Sequence, residues 1–104
     1  MPVTTIADHE INVDPEGFMT EYGAWDEDLG KALAAQISVD LTDAHWEAIR
    51  FLRRDFADKG ETPTLRRVST VGGIPTRTLF QLFTQKPAKK MAYIAGLPKP
   101  HGCV

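Results

Sequence analysis

At 104 residues the chain can bury one core but is too small for separate catalytic and regulatory units, so its function sits on one face, one groove or one tail. Its 42% hydrophobic and 25% charged residues exclude a disordered chain, and its single cysteine excludes an intramolecular disulfide. The net charge of -2 hides a split: residues 1–48 hold Lys31 against eleven carboxylates, whereas residues 49–104 hold eleven Lys and Arg against Asp55, Asp58 and Glu61.

Such a split serves attraction between the two halves, an anionic partner for the basic half, or both. No run approaches the roughly 18 apolar residues of a membrane span, and the start MPVTTIADHEINVD has neither a basic nor an apolar leader region. These features read as a cytoplasmic protein with no membrane partner.

The β-branched runs 3–6 and 11–13, separated by ADHE and followed by the turn-like DPEG, predict a small hairpin. Phe18, Tyr22 and Trp25 lie on the following connection and are expected to pin it to the core. Asp26 is the predicted N-cap of a helix running to about Val39, with Leu29, Leu33, Ala34 and Ile37 at helical spacing. Thr42 caps a longer, central helix whose apolar side is Trp46, Ile49, Phe51, Leu52 and Phe56, and Gly60 ends it. His45, in its first turn, reads as structural. Thr62 and Pro63 predict an N-cap and first position for a short helix that stops near Gly72. Pro75 opens another, carrying Leu79, Phe80, Leu82 and Phe83, and Pro87 opens the last, with Met91, Ile94 and Ala95 facing the core before Gly96. The fold class is therefore mainly α: about five helices and an N-terminal hairpin over residues 1–96, with residues 97–104 as a flexible C-terminal arm.

That arm, LPKPHGCV, cannot be helical, because Pro98 and Pro100 favour an extended path. It carries Cys103. A free cysteine is commonly a small buried hydrophobe, but here it is penultimate, beside Gly102, on a segment of the kind that is exposed. Gly102 leaves room for a partner's active site to approach the sulfur. Lys99 and a protonated His101 favour the thiolate, while a carboxylate on Val104 disfavours it. His101 and Cys103 are too few for a metal site, and VGGIP lacks the Lys-Ser/Thr of a phosphate loop, so neither a metal nor another cofactor is implied.

The segment KPAKKMAYIAGLPKPHGCV resembles the C-terminal signature of the TusE/DsrC family of sulfur-relay proteins. DPEGF, Trp25, LTDAHWEAIRFLRRDF, TPTLRRV and LFQLF follow that family's other motifs in order, so the resemblance covers nearly the whole chain. It implies a mostly helical fold whose penultimate cysteine, here Cys103, receives sulfur as a persulfide and passes it on. In the TusE branch the donor is a TusBCD-type complex and the acceptor a tRNA thiouridylase that makes 2-thiouridine, with an indirect tRNA contact possible. In the DsrC branch the protein serves dissimilatory sulfite reductase and uses a second cysteine in the last helix. Ala92 stands at that position here, which favours the TusE-like carrier. Arg66 matches an arginine of the family pattern and is expected to line the groove near the arm. Two departures are visible: VSTVGGIPTRT replaces a longer stretch, and Lys86 stands where a glycine commonly precedes the proline.

A rival reading is a nucleic-acid-binding regulator, because the helices at Pro63 and Pro75 and the turn at Gly72 and Gly73 resemble a helix-turn-helix. Arg67 and Arg77 would then be the contacting residues. The plainer account of these charges is a solvated helical corner. A thiol that senses oxidants is the third alternative.

Overall fold

The computed structural model describes residues 3–6 and 9–100. The hairpin forms from β1 (Val3–Ile6) and β2 (His9–Asn12), antiparallel, with Val3 opposite Asn12 and Ile6 opposite His9. One further bridge joins Val13 to Met19. The DPEG turn closes between them, with the Asp14 carboxylate accepting from the Glu16 and Phe18 N–H groups at 2.9 and 3.0 Å. This is the local side-chain capture that makes Asp a turn residue. The inward residues Ile6, Ile11 and Val13 pack with Met19, Leu29 and Leu33, which supplies the support a lone hairpin lacks.

A 3-10 turn (Tyr22–Ala24) leads into α1 (Glu27–Gln36), whose N-cap is Asp26, accepting from the Leu29 N–H at 2.8 Å. The helix stops at Ile37 rather than near Val39, because Ser38 turns into the left-handed region at φ 59°. Next comes α2 (Asp43–Lys59), begun by Thr42 and ended by Gly60 at φ 77°. Its buried stripe of Ala48, Ile49 and Leu52 forms the core with Val68, Leu79, Phe83, Met91 and Ile94.

Three short helices complete the body: α3 (Leu65–Thr70), α4 (Thr76–Phe83) and α5 (Pro87–Ile94). The start of α3 differs from the expectation. Thr64 is its N-cap, accepting from the Arg67 N–H at 3.2 Å, while the Thr62 hydroxyl is spent elsewhere, on the carbonyl of Pro98 at 2.8 Å. On α4 only Leu79 and Phe83, one turn apart, are fully buried; Phe80, on the flank beside them, is exposed. The last helix packs against α1, α2 and α4. The chain leaving it starts among the other helices, with Leu97 fully buried. Among the described residues no helix is long and apolar enough to cross a membrane.

Candidate functional site: the seat of the C-terminal arm

The last turn of a helix leaves carbonyl groups without helical partners, and those of α5 are satisfied in three ways. Gly96 adopts φ 69°, and the Leu97 and Gly96 N–H groups return to the carbonyls of Ala92 (3.0 Å) and Tyr93 (3.2 Å). This is a Schellman ending. The Trp25 indole N–H donates to the carbonyl of Ile94 at 2.8 Å. The Arg53 guanidinium donates to the carbonyl of Ala95 at 3.1 Å and of Tyr22 at 2.9 Å, and lies 4.5 Å above the Trp25 ring. Partial burial lowers the Arg53 pKa from its ordinary value, which still leaves it a cation.

From this clamp the arm runs extended across the body. Leu97 is fully buried, the Pro98 carbonyl accepts from Thr62, Lys99 pairs with Glu16 at 3.1 Å, and Pro100 is buried. Residues 97–100, the first four of the expected arm, are seated on the protein. His101, Gly102 and Cys103 lie outside the described residues. Lys99, expected to favour a thiolate, has its ammonium engaged with Glu16.

Beside Thr62 is a small cavity of about 150 Å³ that also borders Asp55 and Arg67. The Arg67 fork grips the Asp55 carboxylate through two bonds of 2.7 and 2.8 Å. That pairing holds the Asp55 carboxyl below its usual range, against an opposing push from burial. Arg67 is accordingly committed to a carboxylate that a nucleic-acid contact would have to displace. Arg77 is exposed on α4, and the exposed Phe80 and Val71 are near it in sequence. Arg66 is exposed on α3, and among the described residues its side chain makes no hydrogen bond or ion pair. The arginine that meets the base of the arm is Arg53.

Sequence reasoning did not connect Arg53, Asp55 or Thr62 with the arm. A signal for the first two was present: Trp46, Ile49, Arg53 and Phe56, like His45, Ala48, Leu52 and Asp55, are spaced 3-4-3 along α2. A charged residue within such an apolar stripe must be paired where it is buried. Of the ion pairs, Arg50 with Glu27 and Lys99 with Glu16 join the acidic and basic halves of the chain. Ala92, on the buried side of α5, is fully enclosed. No group of three or more metal-ligating side chains occurs among the described residues.

The fold is a helical body with an N-terminal hairpin, whose last helix hands over to a proline-containing segment seated on that body. Residues 5–104 match the family model described as DsrC like protein, and the chain belongs to that family. It is 35% identical over 102 residues to the sulfurtransferase TusE of Salmonella typhi, an alignment covering 91% of this chain and 94% of that one. Against the sulfurtransferase TusE of Photorhabdus laumondii it is 36% identical over 104 residues, covering 91% and 92%. The fold superposes on the NMR structure of Allochromatium vinosum DsrC with a TM-score of 0.80 at 29% identity, covering 98% of this chain and 97% of that one. The oxidized γ-subunit of dissimilatory sulfite reductase (DsrC) from Archaeoglobus fulgidus gives 0.75 at 34% identity, covering 99% and 100%. The helical architecture, the hairpin and the family resemblance read from the sequence are all supported by these matches.

Proposed function

We propose that this protein is a sulfur carrier in which Cys103 accepts a sulfur atom as a persulfide and delivers it to an acceptor protein. The observation that carries the reading is the relation of the chain's one cysteine to the seated arm. Three residues of extended chain span at most about 11 Å, so Cys103 stays within that distance of Pro100. The thiol therefore works from the patch around Pro100 and Thr62, and a partner must come to it.

The transfer balances without an added oxidant or reductant. The Cys103 thiolate attacks the terminal sulfur of a donor persulfide, a new S–S bond forms, the donor's S–S bond breaks, and the donor cysteine leaves as its thiolate and takes up a proton. The same exchange in reverse roles loads the acceptor. A second cysteine on the carrier would attack the persulfide and discharge the sulfur as sulfide, closing a disulfide. Ala92 removes the family's candidate for that reaction. This supports a one-sulfur relay of the TusE kind, with a TusBCD-like donor and a thiouridylase-like acceptor in tRNA 2-thiouridine formation, over the DsrC redox cycle.

The test is intact mass after incubating the reduced protein with a cysteine desulfurase, its cofactor and cysteine, or with a low-molecular-weight persulfide, beside Cys103→Ser. The expected result is a gain of one sulfur on the native chain alone, reversed by dithiothreitol. An unmodified Cys103 under both treatments and with candidate donor proteins overturns the carrier reading.

A further inference from the structure

On the side of the molecule reached by Lys99 lies an open cleft of about 530 Å³, bounded by the turn at residues 16–18, the end of α1 and the first two turns of α5. Its floor is apolar: Phe18 and Tyr93, ring edge to face with centroids 6.0 Å apart, and Ile37. Tyr93 is half-buried there, which raises its pKa. The rim carries Lys86, Lys89 and Lys90.

Stability accounts poorly for this rim. The three lysines crowd the first turn of α5, the positive end of the helix, where a cation is unfavourable and an acidic residue is preferred; none is present. Lys86 holds a left-handed backbone at φ 53°, and Lys90 donates to the neutral hydroxyl of Thr84 at 2.8 Å. Among the described residues none of the three is in an ion pair, and Glu16, the carboxylate at the opposite rim, is already paired with Lys99. The cleft is thus an apolar floor under unmatched positive charge.

We infer that this cleft is the docking site for an acidic segment of a partner protein, with carboxylates on Lys86, Lys89 and Lys90 and an apolar side chain against Phe18 and Tyr93. The inference deepens the carrier reading: because Glu16 belongs both to the cleft and to the arm's Lys99 contact, a partner seated there lies beside the chain that bears Cys103. Charge complementarity steers encounter and fixes orientation, and the apolar floor slows departure.

The experiment is an NMR titration of the isotope-labelled full chain carrying Cys103→Ser, which separates docking from sulfur chemistry. The probe is a blocked eight-residue peptide of Glu and Leu in equal numbers; the control replaces each Glu by Gln. Saturable shifts are expected at Gly17, Phe18, Ile37 and the amides of α5, absent with the control and weakened at least tenfold in Lys86→Glu/Lys89→Glu. That double variant relieves repulsion at the helix start, so it folds at least as well as the parent. No saturable shift, shifts centred on Arg54, Arg66 and Arg77, or equal binding by the charge-reversed variant would each overturn the inference. None of these outcomes bears on whether Cys103 accepts sulfur.

Discussion

Arg53 lies over Trp25 at 4.5 Å, and the two side chains together close the last carbonyls of α5, Trp25 on Ile94 and Arg53 on Ala95. The seat of the arm is therefore held by residues from the connection before α1 and from the middle of α2. Arg53→Met keeps the aliphatic packing and removes both hydrogen bonds and the cation above the ring, leaving the Ala95 carbonyl without its side-chain donor and the Tyr22 carbonyl with only the 3.4 Å bond from the Trp25 N–H. The expected cost is about 2–3 kcal/mol. Urea unfolding measures it, and native-state amide exchange at Leu97 locates it: faster exchange there is expected, whereas an unchanged Leu97 would show that Arg53 does not hold the arm.

Gly96 is the other half of that junction. Its φ of 69° disfavours any side chain, and a Cβ there would lie 2.4 Å from Trp25 Cδ1 and 2.9 Å from Met19 Sδ. Gly96→Ala adds the left-handed penalty of about 1–2 kcal/mol to the cost of moving a clamped indole, so a loss above about 2 kcal/mol is expected. The check is the urea midpoint together with Trp25 fluorescence. A variant of parental stability with unshifted emission would mean the indole moves freely.

The elements of this fold were legible because their ends are written in local chemistry. Asp26, Thr42, Gly60, Pro87 and Gly96 each act on backbone within a few positions of themselves. The arm's seat was not legible, since Trp25 meets Ile94 across 69 positions and Thr62 meets Pro98 across 36. Thr62 shows how the two levels compete: its residue type suits an N-cap, but its hydroxyl went to the arm and Thr64 took the cap. The run of Arg50, Arg53 and Arg54 reads as a solvated face when charge alone is considered, and only the 3-4-3 spacing marks Arg53 as different.

Lys86 explains one departure from the family's pattern in physical terms. Lys86 sits at φ 53° and ψ 58°, a left-handed backbone that glycine adopts without the penalty a side chain carries. Lys86→Gly is expected to stabilise the protein by about 1 kcal/mol, a rise of about 4–8 °C in Tm for a chain of this size. Calorimetry decides it. No gain in Tm would mean that the left-handed turn costs this lysine nothing.

The Asp55–Arg67 pair sets a pH dependence. Asp55 is held below the value of about 3.9 that it has in the unfolded chain, so its contribution is fully present above that pH and is lost as pH falls through the lower native pKa. Asp55→Asn should flatten the acid limb of stability against pH in that window and leave the neutral limb parallel to that of the parent. Arg67→Met should cost more than Asp55→Asn at neutral pH: it strands a carboxylate with 6% exposure, whereas Arg67, 35% exposed, still reaches water when its partner is lost. Chemical denaturation between pH 2 and 7 tests both, and an acid limb unchanged in Asp55→Asn would remove this pair from the account.

His45 is a buried link between two helices. Its Nε2 lies 2.7 Å from the carbonyl of Leu82, which can only accept, so Nε2 carries the proton. Nδ1 then accepts from the Thr42 N–H at 3.0 Å, which satisfies an orphan donor at the start of α2 as well as an orphan acceptor at the end of α4. The ring also stands edge to face with Phe83 at 5.0 Å. His45→Phe preserves that packing and deletes the bonds to the Leu82 carbonyl and the Thr42 N–H together with the 2.8 Å contact to the Thr42 hydroxyl. Because Thr42 is exposed and regains water, the loss comes mainly from the part-buried Leu82 carbonyl and is about 1–3 kcal/mol. Amide exchange distinguishes this from general loosening, with the largest gains expected at the Thr42 N–H and in the last turn of α4. Uniform acceleration across α1 and α5 would instead point to a disturbed core.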